Sequence, residues 1–154
     1  MKDEALIERL GLQLLEGEGG FFRRVHSFLE GDIPIGSAIY YLITEESFSS
    51  LHHLSTDEIW FFLEGDALDQ LLLNEDGTHE MRRLGPVTLG YNPLSVVKGG
   101  CYQGTKLHGE HGWALCATVM CPPFERSDFK QATDDILQAY PDCVDVQRFL
   151  AKEE

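Results

Sequence analysis

Residues 47–65 read Ser-Phe-Ser-Ser-Leu-His-His-Leu-Ser-Thr-Asp-Glu-Ile-Trp-Phe-Phe-Leu-Glu-Gly and concentrate histidine, acidic and aromatic side chains between two apolar runs. Residues 48–54 and 58–63 predict two strands, because β-branched and aromatic residues favour extended backbone. The short polar segment between them, residues 55–57, is typical of a turn. We therefore expect these two strands to pair with each other.

The side chains of this stretch fall on defined faces, because successive residues of a strand point to opposite sides. His52 and Leu54 share one face of the first strand, and Glu58, Trp60 and Phe62 share one face of the second. If both faces point to the same interior, the imidazole of His52 and the carboxylate of Glu58 meet there.

Short apolar segments recur at regular intervals on both sides of this stretch. Further strands are predicted at residues 37–44, 67–73, 79–84, 94–97, 101–106 and 113–120. Turn sequences separate them, notably Asn-Glu-Asp-Gly at residues 74–77 and Gly-Glu-His-Gly at residues 109–112. This spacing is typical of an antiparallel sandwich or barrel.

Helical patterns occur near the two ends of the sequence. Apolar residues at positions 6, 7, 10 and 14 predict an N-terminal helix that Asp3 caps and that the glycines of residues 17–20 end. Two short helical patterns follow the prolines at 122 and 123, near residues 132–140 and 144–152. We expect these helices to pack on the outside of the sheets.

Composition narrows the class of protein. A length of 154 residues suits one domain over residues 1–154, and no apolar run approaches the roughly 20 residues that span a bilayer. Twelve basic against 26 acidic residues give a net charge of −14, which repels phosphate backbones and anionic membranes. The N-terminus lacks the apolar segment of a secretory signal, and the four cysteines lack metal-type spacing. The sequence predicts a soluble cytoplasmic protein without nucleic-acid or membrane partners.

Four motifs occur in a fixed order along the chain. They are Glu18-Gly19-Gly20-Phe21-Phe22-Arg23, Ile39-Tyr40-Tyr41-Leu42, His52 with Asp57-Glu58-Ile59-Trp60, and Pro122-Pro123-Phe124 with Asp128-Phe129. Together they resemble the cupin-5 branch of the cupin superfamily, whose members are largely uncharacterised. The resemblance implies an all-β double-stranded β-helix, the cupin jelly roll, with an N-terminal helix and short C-terminal helices. It also implies a homodimer.

The first cupin motif is only partly present. His52, Glu58 and Gly65 match it, whereas Leu54 replaces its second histidine, and Gln103 stands where the histidine of the second motif would be. A first-row metal in a cupin takes about three nitrogens and a carboxylate, and imidazole suits it better than a carboxamide. The sequence therefore favours no cofactor; His52, Glu58 and Gln103 are the ligands if a metal binds.

Two more positions depart from the branch. Phe61 stands where the branch usually has a histidine, and Arg24 stands where it has a glutamate.

The resemblance and the residues leave several functions open. The first is a small-molecule-binding or sensing cupin with a ligand cavity inside the barrel. The second is a metal-independent isomerase or epimerase acting on a sugar-like or carbonyl substrate, with His52, Glu58 and Tyr40 as catalytic residues. A metal-dependent cupin enzyme is third. The residues expected to bind the ligand are Arg23, Trp60, Phe62, Tyr102 and Gln103.

A structural interpretation competes with each of these. The aromatic residues, including Trp113, are equally suited to filling the core, and His52 and Glu58 to hydrogen-bonding each other. Among the cysteines, Cys101 borders the expected mouth of the cavity and is the candidate for a reactive thiol.

Overall fold

The computed structural model describes residues 2–109 and 112–152. Its α-helices are α1 (Asp3–Leu10), α2 (Ile136–Ala139) and α3 (Val146–Phe149). Its strands are β1 (Gln13–Leu14), β2 (Phe21–Glu30), β3 (Ile33–Thr44), β4 (Ser49–His53), β5 (Glu58–Gly65), β6 (Leu68–Leu73), β7 (His79–Leu84), β8 (Leu94–Val97), β9 (Tyr102–Leu107), β10 (Trp113–Met120) and β11 (Lys130–Gln131).

The strands form two antiparallel sheets. The six-stranded sheet has the order β1-β2-β3-β10-β5-β8, and the five-stranded sheet has the order β11-β4-β9-β6-β7. Side chains from both sheets meet in one buried cluster, in which Tyr41, Trp60 and Cys116 of the first sheet pack with Leu68 and Leu72 of the second. The prediction of an all-β jelly roll is therefore confirmed.

The helices cover the outer faces of the sheets. Helix α1 packs Leu6 against Leu42 and Leu115 of the six-stranded sheet. Helix α3 packs Val146 and Phe149 against the outer face of the five-stranded sheet. This second cover explains why every residue of β6 is buried, since the strand has apolar neighbours on both faces.

The ends of α1 differ from the prediction. Lys2 precedes the helix, and Asp3 makes no capping hydrogen bond but is its first residue. Gly11 ends the helix in a left-handed conformation with φ of 65°, well before the glycines of residues 17–20. Glycine adopts this conformation at little cost, so the first glycine after the apolar stripe stops the helix. No helix in residues 2–109 and 112–152 has the length and hydropathy to cross a membrane.

The predicted pairing of β4 with β5 is wrong. Strand β4 pairs with β9 and β11, whereas β5 pairs with β10 and β8 in the other sheet. The polar residues between them bind other segments, because Ser55 N donates to Asp128 and the Asp57 carboxylate accepts from Gly99 N. The segment therefore crosses from one sheet to the other, and the inner faces of β4 and β5 oppose each other across the core.

Strand β2 contains the aromatic-rich stretch of residues 21–28. Its pairing with β3 shifts register between Arg24 and His26 and again between Phe28 and Leu29, so its side chains do not alternate regularly. The predicted turn at residues 109–112 includes Glu110 and His111, which lie outside the described residues.

Candidate functional site

A cavity of about 190 Å³ lies against the inner face of the six-stranded sheet. Its lining residues are Leu15, Glu18, Phe22, Arg24, Ser37, Ile39, Tyr41, Leu54, Glu58, Thr118, Met120 and Phe124. The strand register explains this set, because Phe22 lies opposite Tyr41 and Arg24 opposite Ile39 on β2 and β3. Alternation turns the intervening residues to the other face of the sheet.

Glu58 places a carboxyl group in the wall of this mostly apolar cavity. The residue is only 6% exposed. Burial, and then the neighbouring Glu18 carboxylate, raise the pKa of Glu58 to about 7, while His52 and hydrogen bonds from Thr118 and Gln103 partly offset the rise. The cavity thus contains an acid that changes charge near neutral pH.

Glu18 is a second buried acid in the same wall. Its Oε2 accepts hydrogen bonds from Ser49 Oγ at 2.9 Å and from the Tyr41 hydroxyl. Its Oε1 lies 3.4 Å from Nε2 of His52. Burial, and then Glu18, raise the pKa of Tyr41 well above its usual range. Glu18 therefore joins β3 and β4 through one carboxylate.

Glu18 is absent from the site residues predicted from the sequence. A glutamate among glycines reads as an exposed turn, and nothing in the local pattern indicates burial. The signal in the sequence was its position as the first residue of the cupin-type motif at residues 18–23, directly before Gly19 and Gly20.

His52 lies behind the cavity wall. It is 1% exposed, and its Nδ1 lies 2.7 Å from the Ser50 carbonyl oxygen. A carbonyl only accepts, so Nδ1 carries the proton and Nε2 is the nitrogen that faces Glu18. The ring of Phe129 stacks on the imidazole at 5.4 Å between centroids. His52 and Glu58 do face one interior, with Glu18 as the closer partner of His52.

Gln103 and Trp60 also lie behind the wall. Trp60 Nε1 donates to Gln103 Oε1 at 3.2 Å across the two sheets, and both side chains are buried. Gln103 sits opposite His52 in the register of β9 and β4. This hydrogen bond joins the two sheets behind the cavity wall, and neither residue lines the cavity.

Four expected site residues lie elsewhere. Tyr40 is on the outer face of β3 with the α1 cluster, and the Arg23 guanidinium lies 5.8 Å from its ring. Tyr102 packs against the cluster of the C-terminal helices. Phe62 packs on the interior cluster but does not line the cavity. Among the aromatic residues, Trp60 and Phe62 therefore lie on the inner face of the sheet, whereas Tyr40 and Trp113 lie on its outer face.

The segment after β10 covers the cavity. It follows a cis peptide bond between Cys121 and Pro122 and places Phe124 in the lining. Asp128 fixes the segment to the end of β4, since its two oxygens accept from Ser55 N at 2.9 Å and Ser55 Oγ at 2.7 Å. The conformation of this segment therefore sets the size of the cavity.

The donor set does not fit the metal centre of a metal-binding cupin. Within the described residues, no group of three or more His, Cys, Asp and Glu side chains could hold a metal ion. Gln103 uses its carbonyl oxygen on Trp60, and Glu18 is engaged by Tyr41, Ser49 and His52. A metal would have to displace these hydrogen bonds.

Cys101 does not have the character of a reactive thiol. It is 8% exposed, and its Sγ donates to the Lys98 carbonyl oxygen at 3.0 Å. Burial raises the pKa of the thiol, which lowers the thiolate fraction at neutral pH.

Solved structures of the same fold include two that cover nearly the whole chain. A protein from Shewanella oneidensis is 26% identical with a TM-score of 0.88, and the match covers 99% of each chain. A hypothetical protein from Leishmania major is 24% identical with a TM-score of 0.85, covering 99% of this chain and 100% of that one. Oxalate decarboxylase from Bacillus subtilis shares the fold at 13% identity and a TM-score of 0.60, over 91% of this chain and 35% of its own.

A comparison with curated proteins finds no match. A family model does match: residues 4–132 fit Cupin_5, described as cupin superfamily (DUF985). These residues include both buried glutamates, His52 and the segment that covers the cavity. The match spans most of the sequence, and the chain therefore belongs to the Cupin_5 family of the cupin superfamily.

Proposed function

We propose that the protein binds a small organic molecule in the cavity on the inner face of its six-stranded sheet and that Glu58 is the polar group that orients it. The observation that carries this proposal is a buried carboxyl group in the wall of an otherwise mostly apolar cavity. Burying an ionisable group without function is costly, and such groups concentrate at binding sites.

The cavity limits the size of the ligand. A cavity of about 150 Å³ is enough to hold benzene, so about 190 Å³ suits a molecule built on one ring or a short branched chain. The lining offers apolar contact from Phe22, Ile39 and Phe124. Glu58 adds a hydrogen-bond acceptor when it is ionised, which favours a ligand that carries a hydroxyl or amine donor.

Benzyl alcohol and toluene form a matched pair of probes, because they differ by one hydroxyl group. We expect the ionised Glu58 to bind the alcohol about tenfold more tightly than toluene at pH 8, since hydrogen bonds to charged groups are the stronger ones. In Glu58→Gln this preference should shrink and lose its pH dependence. Isothermal titration calorimetry from pH 5 to pH 8 measures both effects.

Two outcomes would contradict the proposal. One is that neither probe binds at millimolar concentration. The other is that Glu58→Gln keeps the full preference for the alcohol at pH 8. Glu64→Gln is the control, because Glu64 is an exposed residue of the same strand.

The second candidate function is metal-independent proton transfer on a carbonyl substrate. A pKa of about 7 favours it, because a general base works best when its pKa is near the working pH. Tyr40 lies outside the cavity, so Glu58 is the candidate base in this proposal. Exchange of deuterium from solvent into phenylacetone, followed by NMR, tests it. Exchange no faster than in buffer would contradict this second function, as would equal exchange in Glu58→Gln and wild type. In either case the binding function would stand.

Other expected properties remain proposals. The net charge of −14 supports the absence of a nucleic-acid partner, and four free cysteines support a reducing, cytoplasmic location. A metal-dependent enzyme is disfavoured by the donor set, and elemental analysis of the purified protein tests it. The homodimer is likewise a proposal.

A further inference from the structure

We propose that the ligand of this cavity is a small organic carboxylate and that Arg24 binds its carboxylate group. The inference rests on the proposed function, since it names the chemical class of the ligand for the same site. It is carried by an arginine that lines the cavity and has no ion-pair partner among the residues that the structure describes.

The strand register turns Arg24 toward the cavity. Arg24 lies opposite Ile39 on the face of β2 and β3 that also carries Phe22 and Tyr41, and all four residues line the cavity. Its neighbour Arg23 lies opposite Tyr40 on the other face. Two adjacent arginines are therefore separated by the sheet, and only one of them reaches the site.

The charge of Arg24 is not neutralised within the described residues. Within the described residues, Arg82, Arg83 and Arg148 each form an ion pair with a carboxylate, whereas Arg9, Arg23, Arg24 and Arg126 form none. Of these four, only Arg24 lines this cavity. Its Nη2 donates one hydrogen bond, to the Phe124 carbonyl oxygen at 3.4 Å. A guanidinium has five N–H donors, so most of its donors remain for a ligand.

Guanidinium geometry selects the class of ligand. Two parallel N–H groups match the two oxygens of a carboxylate, which makes this pair stronger and more directional than a contact with a neutral oxygen. Arg24 is largely exposed at the edge of the cavity, so an anion reaches it without complete loss of water. The apolar walls then hold the rest of the molecule.

The buried acids fit this orientation. Glu58 is on β5, which is three strands away from β2, so their backbones are separated by about 14 Å along the sheet. A carboxylate bound to Arg24 is thereby kept away from Glu58. Below pH 7 Glu58 is largely protonated and adds little repulsion.

Benzoate and benzyl alcohol test the inference, because they share a ring and differ in charge. At pH 6 we expect wild-type protein to bind benzoate about tenfold more tightly than benzyl alcohol, in line with a charge-assisted bidentate pair. Arg24→Gln should remove this preference, because benzoate then loses its cationic partner. Arg23→Gln is the matched control and should keep the preference. Calorimetry gives all of these affinities.

A charge reversal provides a second variant. Arg24→Glu should reject benzoate and bind benzylamine more tightly than wild type does. The inference is overturned if benzoate binds no better than benzyl alcohol, or if Arg24→Gln and Arg23→Gln behave alike. Binding of benzyl alcohol in either case leaves the proposed function standing, whereas failure of all three probes overturns both.

Discussion

Glu58 is a residue whose ionisation opposes folding. Its pKa is raised from 4.5 to about 7, so the folded chain keeps a proton between these values that the unfolded chain has released. Because the folded state then binds more protons, the free energy of unfolding falls as the pH rises through this window. This decrease in the free energy of unfolding is complete above about pH 7, and it is on the order of 3 kcal/mol for a pKa shift of this size.

Glu58→Gln should remove this pH dependence. The free energy of unfolding of the variant minus that of wild type should increase by about 3 kcal/mol from pH 4 to pH 8, because only wild type is destabilised over this range. Urea denaturation at four pH values measures it, with Glu64→Gln as the exposed control on the same strand. A difference between Glu58→Gln and wild type that stays constant with pH would contradict the proposed state of Glu58.

Glu18 is expected to be the more important acid for stability. Removing its carboxylate leaves Ser49 Oγ without this acceptor and takes one of two acceptors from the Tyr41 hydroxyl, which keeps the Gly19 carbonyl oxygen. A buried group left unpaired costs about 1–3 kcal/mol, so Glu18→Ala should lose about 1–3 kcal/mol of unfolding free energy. Glu16→Ala, in the same loop but exposed, is the control. Equal losses for the two variants would mean that the Glu18 contacts are not stabilising.

Individual site residues were predictable only where alternation decided their direction. Side chains alternate between the two faces of a strand, and this alternation turns both His52 and Glu58 toward the interior. The result does not depend on which strands pair. Tyr40 was chosen over Tyr41, and one residue is enough to move a side chain across the sheet. Arg23 was chosen over Arg24 for the same reason. Glu18 was missed because its burial comes from contacts with β3 and β4, which no local pattern contains.

At the scale of elements, the turn that carries Glu18 is fixed by glycine. Gly20 has φ of 76°, and a Cβ there would lie 2.3 Å from the Tyr41 ring. Gly31 has φ of 61°, but a Cβ would have nothing within 4 Å. A substitution at Gly31 therefore has only the cost of the backbone conformation, whereas a substitution at Gly20 has that cost and the cost of a clash.

Gly20→Ala should be much more destabilising than Gly31→Ala. The conformation alone costs about 1–2 kcal/mol for a residue with a Cβ, which is the loss expected at Gly31. The clash adds about 1–3 kcal/mol at Gly20 and shifts Tyr41 away from Glu18. Chemical denaturation compares the two variants. Similar losses would show that the loop adjusts without disturbing Tyr41.

Strand positions were predictable to a large extent, but strand partners were not. Strands β7, β8 and β10 match their predicted ranges, because alternating or apolar runs end at clear turn residues. The partner of β5 is decided by its long register with β10, from Glu58 opposite Met120 to Gly65 opposite Ala114. Such pairings join residues 49 to 62 positions apart, and short-range turn signals carry no information about them.

At the scale of the whole molecule, β2 leaves an open edge on the six-stranded sheet. Strand β1 pairs only with Phe21 and Phe22, so the outer edge of β2 beyond them has no strand partner within the described residues. Large apolar side chains are exposed on β2 and the start of β3, namely Val25, Phe28, Leu29, Ile33 and Ile35. A long apolar edge of this kind favours pairing with another chain.

A second copy of the chain is the partner that suits this edge. In an antiparallel arrangement about a twofold axis, the basic start of β2 at Arg23 faces the acidic end at Glu30 of the partner subunit, and the reverse contact forms at the same time. Opposite charges at the two ends of one strand thus make the edge self-complementary. We therefore propose that the homodimer forms through β2.

Wild-type protein should sediment at twice the 17.4 kDa mass of one chain at micromolar concentration. Leu29→Lys should shift it toward the monomer, because Leu29 is 58% exposed on the proposed interface and a lysine there would have to be desolvated. Leu89→Lys is the control, since Leu89 is 70% exposed on the 3-10 helix of Val87–Leu89, outside the β2 edge. A wild-type monomer would exclude the dimer, whereas dissociation by Leu89→Lys but not by Leu29→Lys would move the interface to the opposite edge at β8.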